Sequence, residues 1–326
     1  MHARFTPIAL GLLAVALSSA VPARADDYPN RPIRIISDSA PGSAVDVTFR
    51  MVMDRLGKQL GQQIVAVAQP GASGAIAAHA ASDAVPDGYT LFAPAISLFI
   101  SLPGKAPNLP LILPRDFLPV ASLLDQPMFI CASTKSGIKT LPDLIARAKR
   151  SPGQISFAAT GIGRITHLTG LLLQSRAGIK LQVVPYTGGP AAALVDVIDG
   201  RVPLIIEGYS GLAGAIQAHK LNVLAVAARR RLPDFPDLPI VSETLPNFVA
   251  GGWQGIVAPR GTPAAAIKKF NAALNKVLAE PDLAKQLAAR GAYVNPLSPQ
   301  ETNAFVNGQQ TQWKPVLDAF EASINK

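Results

Sequence analysis

The sequence has one cysteine in 326 residues, so no intrachain disulfide can form and the fold must rest on a hydrophobic core. That residue, Cys131, lies in an apolar run, which favours a buried strand position over a nucleophilic role. Aromatic residues make up only 6% of the chain, and its basic residues are dispersed. This composition fits nucleic-acid binding poorly, so we expect no nucleic-acid partner.

Catalytic and metal-binding patterns are also missing. Beyond the N-terminal segment the histidines are His79, His167 and His219, and they do not stand in a metal-ligand spacing. The Gly-Tyr-Ser-Gly segment at 208–211 lacks the last glycine of a nucleophile elbow, and no pair of carboxylates has a recognisable acid–base spacing. These absences favour ligand binding without chemistry, and we expect neither a metal nor a cofactor.

A long apolar run occurs only near the N-terminus. Arg4 precedes the apolar stretch 8–16, which is too short to span a bilayer, and Ala-Arg-Ala at 23–25 is typical of a cleavage site. The pattern predicts a signal peptide over 1–25, cleaved after Ala25, and export to the periplasm. Loss of Arg4 and Arg24 leaves 28 basic and 21 acidic residues, so the net charge falls from +9 to +7 and favours anionic ligands.

The rest of the chain alternates short apolar runs with helical patterns. The runs do not alternate with period two, which predicts an α/β fold with mostly parallel sheets flanked by helices. A segment with five prolines, 102–119, predicts an extended surface crossing rather than a central strand. The predicted strands are 33–37, 64–68, 90–93, 128–133, 155–159, 181–185, 202–206, 222–228 and 253–258. The predicted helices are 46–60, 73–82, 141–150, 166–177, 190–199, 211–219, 263–279, 282–290 and 299–322.

Two strand–loop–helix units are the most informative features. In the first, the run 33–36 opens into a small-residue loop, and a helix begins near Asp46. The second unit lies at 154–175. The first N–H groups of a helix lack intrahelical acceptors and the helix dipole is positive there, so such loops attract anions. Two units that face each other would clamp a small acidic molecule.

The second loop contains Gly-Ile-Gly-Arg-Ile-Thr at 161–166. Thr166 replaces the third glycine of the dinucleotide fingerprint, and no acid stands about 20 residues further on, so a smaller anion is favoured over a nucleotide. Arg164 could bind a carboxylate through two hydrogen bonds, or it could be a solvated loop charge. His167 could contact a ligand, or it could serve in packing or capping.

Two further segments have open interpretations. Tyr186 and Thr187 follow a predicted strand, and their hydroxyls could orient a polar ligand, although an ordinary βα loop is the alternative. Trp253 could belong to the core or line a cleft, and we favour the core.

An ordered set of short motifs resembles the Bug family, the periplasmic solute-binding proteins of tripartite tricarboxylate transporters. The resemblance extends over nearly all of the chain after residue 25. The motifs are Tyr-Pro-Asn-Arg-Pro-Ile at 28–33, Gln-Pro-Gly-Ala-Ser-Gly at 69–74, Pro-Asp-Gly-Tyr-Thr-Leu at 86–91, Val-Pro-Tyr-Thr-Gly-Gly at 184–189 and Ala-Pro-Arg-Gly-Thr-Pro at 258–263.

The resemblance implies a two-domain Venus flytrap without catalysis. Domain 1 would comprise 26–126 plus 250–326, and domain 2 would comprise 127–249. The first loop (39–46) and the second loop (160–167) would grip a carboxylate. The predicted ligand-binding residues are Ser39, Ala40, Gly42, Ser43, Ala44, Asp46, Ser97, Thr160, Gly161, Gly163, Arg164, Thr166, His167, Tyr186 and Glu207.

The resemblance also implies partners. We expect a monomer that binds a small organic acid and delivers it to the membrane permease subunits of the transporter. Two alternatives stay open: a sensor that presents its ligand to a membrane receptor, and an exported α/β enzyme.

The chain departs from the family pattern at the site. The first loop lacks the usual aromatic residue and several glycines, and Arg164 stands where a small hydroxyl residue is usual. Arg164 could grip a second ligand carboxylate, the option we favour slightly, or be held by an internal acid, Glu207 or Asp38. Asp46 is expected to cap the free N–H groups of its helix. Because of these differences, the ligand of a typical family member does not predict the ligand of this chain.

Overall fold

The computed structural model describes residues 28–324 except 40, 42 and 101–110. The predicted signal peptide lies outside the described residues. The described strands are β1 Ile33–Ser37, β2 Ile64–Ala68, β3 Thr90–Ala93, β4 Phe117–Ser133, β5 Ser156–Ala159, β6 Gln182–Pro185, β7 Leu204–Gly208, β8 Leu221–Val226, β9 Gly251–Pro259 and β10 Tyr293–Leu297. The described helices are α1 Ala44–Leu60, α2 Ala75–Ser82, α3 Leu141–Arg150, α4 Ile165–Ala177, α5 Pro190–Ile198, α6 Tyr209–Gln217, α7 Ala264–Leu278, α8 Pro281–Ala288 and α9 Pro299–Ile324.

The strands form one mixed sheet in the order β2-β1-β3-β9-β4-β7-β5-β6, with β8 and β10 also paired to β4. The α/β class is confirmed. Pairing is parallel in the arms β2-β1-β3 and β7-β5-β6, and antiparallel wherever β4 or β9 takes part. The sheet is therefore less parallel than the sequence predicted, because two strands cross its middle in opposite directions.

The long strand β4 links two parts of the sheet. Residues 117–127 pair with β9, and β10 adds to the same stretch. We call these strands, with β1, β2 and β3, the first sheet region. Residues 128–133 pair with β7 and β8, and with β5 and β6 they form the second sheet region.

The prediction that all of 102–119 is an extended surface crossing rather than a central strand is wrong at its C-terminal end. The end of that segment, residues 117–119, belongs to β4, where Pro119 pairs with Val257. The register shifts between Pro119 and Ala121, which accommodates a residue that has no N–H to donate. Residues 101–110 lie outside the part of the chain that the structure describes.

The C-terminal segment supplies a strand as well as helices. The last strand that the sequence predicts is 253–258, but β10 follows it and pairs antiparallel with β4. Asn271 in α7 fixes this corner, because its Nδ2 donates to the carbonyls of Val120 and Leu297, each at 2.9 Å. Helix α9 packs against β4 and β10 and also against α4, the helix that follows β5 of the second sheet region.

Cys131 and Trp253 are both buried, as the sequence predicts. Cys131 is fully buried in β4, as predicted, and burial raises the pKa of its thiol. Trp253 is 5% exposed and stacks on Phe99 with ring centroids 5.3 Å apart, so the core interpretation is confirmed. Within the described ranges, no helix combines the length and hydropathy needed to cross a membrane.

Candidate ligand-binding site

The first loop joins β1 to α1. Ser43 is the N-cap of α1, and its Oγ accepts a hydrogen bond from the Asp46 N–H at 3.3 Å. The prediction that Asp46 is the cap was therefore wrong, since the helix begins two residues earlier, at Ala44. Asp46 instead lies in the first turn, where its carboxylate accepts from Arg50 Nε at 3.0 and 3.1 Å. Ala40 and Gly42 lie outside the described residues.

Asp38 is fully buried just before the first loop. Its Oδ1 accepts from the Ala95 N–H at 2.7 Å. Gly74 lies close to the other carboxylate oxygen, because a Cβ added to this glycine would be 2.7 Å from Oδ2. Burial raises the pKa of Asp38 above its ordinary value, while Arg164 and the Ala95 N–H act in the opposite direction. Ser39 beside it is also buried, and its N–H donates to Ser37 Oγ.

The second loop joins β5 to α4 and is held by its own side chains. Thr166 Oγ1 accepts from the Thr160 N–H at 3.0 Å and lies 3.1 Å from Thr160 Oγ1. His167 Nδ1 accepts from the Gly163 N–H at 3.1 Å. Gly161 and Gly163 have φ values of 137° and 78°, which side-chain-bearing residues rarely adopt. Thr166 and His167 thus fix the shape of the loop.

Arg164 brings the two loops together. It occupies the N-cap position of α4, and its Nη1 lies 3.2 Å from Asp38 Oδ2 and 3.5 Å from Ser97 Oγ. Its side chain is 28% exposed, whereas that of Asp38 is 0% exposed. Of the alternatives that the sequence left open, pairing with an internal acid is the one observed, and the acid is Asp38 rather than Glu207.

Glu207 borders the second loop from the end of β7. Its carboxylate accepts from the Gly208 N–H at 2.8 Å and from the Thr160 hydroxyl, and burial raises its pKa to about 7. His167 is 1% exposed and packs edge-on against Phe320, and burial lowers its pKa to about 4. His167 is therefore neutral at pH 7 and serves in packing and loop support.

Tyr186 is turned towards another partner. Its hydroxyl donates to Asp196 Oδ2 in α5 at 2.5 Å, and burial raises its pKa to about 12. The structure shows no hydrogen bond between Tyr186 and any other described residue of the predicted site. The hydroxyl of Tyr186 is therefore held by α5, and its place in the ligand site stays a prediction.

A buried polar cluster supports the first loop and was missed from the sequence. Thr48 Oγ1 in α1 accepts from Gln126 Nε2 at 3.0 Å and from Gln254 Nε2 at 2.8 Å. Gln254 also donates to the Val45 carbonyl. The cluster ties the first turn of α1 to β4 and β9. Its one signal in the sequence is a polar side chain at or beside a predicted apolar strand, because Gln254 lies within 253–258 and Gln126 stands two residues before 128–133. Asp38, also absent from the predicted ligand-binding set, has the same kind of signal.

The opposite pKa shifts of Glu207 and His167 predict opposing effects of pH on stability. As pH falls from about 6.5 to 4, buried His167 destabilises the fold, because the unfolded chain binds that proton more readily. Between about pH 7 and 4.5 Glu207 acts oppositely, since the folded chain binds its proton first. As pH falls from 7 to 5, the free energy of unfolding of Glu207→Gln should therefore decrease more steeply than that of wild type. That of His167→Gln should decrease less steeply. Urea titrations at each pH measure this.

His79→Gln is the control, because its side chain is 77% exposed on α2. That side chain contacts Asp83 on the helix surface, where water screens the interaction, so this variant should stay close to wild type over the pH range. If both site variants also follow the wild-type profile, the two groups do not titrate in the folded protein as assigned.

Comparisons with known proteins agree with this architecture. The family model of the tripartite tricarboxylate transporter family receptor, TctC, matches residues 48–321. BugT of Bordetella pertussis is 32% identical over 319 residues, which cover 97% of each chain. Two solved Rhodopseudomonas palustris proteins are also similar. One, with adipate, has 26% identity and a TM-score of 0.83 over 90% of this chain and 98% of its own.

The other, MatC with bound malate, has 28% identity and a TM-score of 0.78 over 89% of this chain and 100% of its own. The chain belongs to the tripartite tricarboxylate transporter receptor family, and the resemblance to Bug proteins is confirmed.

Proposed function

We propose that this chain is a periplasmic receptor that captures a small carboxylate-bearing solute between the first and second loops. It then delivers the solute to the permease subunits of a tripartite tricarboxylate transporter. The observation that carries the proposal is the contact of Arg164 with Asp38 and Ser97, which brings the loops leading into α1 and α4 together. Adipate and malate in the two similar structures support a carboxylate as the ligand class.

The proposal includes a division into two domains, 26–126 plus 250–326 and 127–249. The change of partners along β4, from β9 up to Pro127 to β7 from Met128, supports a boundary there. It also includes cleavage after Ala25, periplasmic localisation and a monomeric state. All fifteen predicted ligand-binding residues remain proposals, with Tyr186 the least supported because its hydroxyl faces Asp196.

A thermal-shift screen tests the proposed function. The panel contains mono-, di- and aromatic carboxylates together with small uncharged amides. A bound acid should raise the melting temperature with concentration, because it adds RT ln(1 + [L]/Kd) to the stability of the folded state. Glu243→Gln, whose carboxylate pairs with Arg231 outside both loops, should respond as wild type. The ligand should be recovered unchanged after long incubation.

Two results would contradict the proposal. If no carboxylate stabilises the protein, the loops do not form a carboxylate site. If the acid is converted during incubation, the exported-enzyme alternative is supported instead.

A further inference from the structure

Acids outnumber cations around the two loops. Asp38 and Asp46 flank the first loop, and Glu207 borders the second. The second loop holds one arginine, Arg164, and its histidine, His167, is neutral at pH 7. Arg50 of α1 is a further cation beside the first loop, and its Nε pairs with the Asp46 carboxylate at 3.0 Å. A ligand therefore meets two guanidinium groups, Arg164 and Arg50, that each already have a carboxylate partner.

The charge of Arg164 is already balanced within the protein. Nη1 faces Asp38 Oδ2 at 3.2 Å, and the other oxygen of Asp38 is fixed by the Ala95 N–H. Asp38 is fully buried, and Gly74 lies so close that an added Cβ would be 2.7 Å from Oδ2, which leaves the carboxylate little space to turn. Among the described residues, Asp38 is the one acid within ion-pair distance of Arg164.

The remaining edge of the guanidinium suits one further carboxylate. An arginine presents five N–H donors in a planar fork, and the contacts seen here use Nη1. A first ligand carboxylate would share Arg164 with Asp38 and gain from the N-terminus of α4. For a second ligand carboxylate the remaining cation beside the loops is Arg50, whose charge Asp46 already balances, and the Glu207 carboxyl group borders the second loop. Like charges that are brought close together disfavour binding.

We propose that the site selects a monocarboxylate whose far end is an uncharged hydrogen-bonding group, such as a half-amide, over the matching dicarboxylate. This inference rests on the proposed function and names its ligand class. The Glu207 carboxyl group and the hydroxyls of Thr160 and Thr166 lie together at the border of the second loop. Of these, Thr160 and Glu207 are partly exposed and offer oxygen acceptors for an amide N–H, whereas a second carboxylate has no N–H to donate.

Isothermal titration with matched acids tests the inference. The chain without residues 1–25 is titrated at pH 8 with succinate against succinamate, glutarate against its monoamide, and adipate against its monoamide. For the chain length that binds best, the half-amide should bind at least tenfold more tightly. Asp38→Asn frees the charge of Arg164, so it should shift this ratio at least tenfold towards the dicarboxylate. Glu243→Gln, in an exposed arginine pair elsewhere, should leave the ratio unchanged.

A second variant guards against misfolding of Asp38→Asn. Asp46→Asn removes a charge from the first turn of α1 and should shift the ratio in the same direction, by about threefold. A wild-type ratio at or below one overturns the inference while the proposed function stands, and so does an unchanged ratio in both folded variants. If neither member of any pair binds wild type or a folded variant, the inference is also overturned, and the thermal-shift screen of the full acid panel decides on the proposed function.

Discussion

Replacing Arg164 by glutamine should lower the free energy of unfolding at pH 8 by about 2–3 kcal/mol. The substitution leaves the fully buried Asp38 without its cation, and breaking a buried ion pair from one side typically costs about 3–5 kcal/mol. The lower figure is appropriate because 28% of the arginine side chain is exposed and water screens part of the interaction. Urea denaturation of wild type and variant measures the loss.

The loss should depend on pH in a defined direction. Burial already raises the pKa of Asp38, and removal of Arg164 raises it further. A carboxyl group with a raised folded-state pKa destabilises the fold when it is ionised and ceases to do so once it is protonated. The deficit of Arg164→Gln should therefore be largest at neutral to alkaline pH and shrink as pH falls through the folded-state pKa of Asp38.

Two further variants complete the test. The double variant with Asp38→Asn should recover most of the loss, because no buried charge is left unpaired. Arg231→Gln breaks the exposed pair with Glu243 and should cost much less, because water screens an exposed ion pair. If Arg164→Gln costs no more than Arg231→Gln, Asp38 does not depend on the arginine.

Gly170→Ala should destabilise the protein by about 3 kcal/mol. An alanine Cβ at this position in α4 would lie 2.3 Å from the ring of Phe157, which is fully buried in β5. Helix propensity alone would favour alanine by about 1 kcal/mol, but overpacking of a rigid core side chain outweighs it. Because α4 carries Arg164 at its N-terminus, its displacement should also weaken carboxylate binding. Denaturation and ligand titration measure the two effects.

Gly214 provides a matched control within a helix. Nothing lies within 4 Å of a Cβ built there, so Gly214→Ala in α6 should be neutral or slightly stabilising. Adding Phe157→Leu to Gly170→Ala should recover part of the stability by making room for the methyl group. Equal stability of the two alanine variants would show that α4 and β5 are not packed as described.

Local pattern was sufficient to locate most of the fold. The runs at 33–37 and 64–68 and the helix at 141–150 have the observed bounds, because buried parallel strands and amphipathic helices have distinct periodicities. The strand β10 and the first part of β4 were missed for another reason. β10 has a mixed pattern with Pro296, and its strand conformation depends on pairing with β4, which no local window contains.

The candidate site was likewise predictable where its features are local in sequence, and not where they depend on contacts between distant segments. The two strand–loop–helix units were visible in sequence, and so was the possibility of an internal partner for Arg164. The choice between Asp38 and Glu207 could not be made, because it depends on how two distant loops approach each other. The Asp46 cap was wrong by a small shift: the helix began two residues earlier, which made Ser43 the cap.

The pairing of β4 also dictates an order of folding. Both partners of residues 117–127, strands β9 and β10, come after residue 250 in the chain. The partners of residues 128–133, strands β7 and β8, are complete by residue 226. During synthesis, the second sheet region can therefore form while one edge of β3 and the first part of β4 are still unpaired, because β9 and β10 have not yet been made. A chain interrupted before residue 251 would carry unpaired strand edges, which promote association between chains.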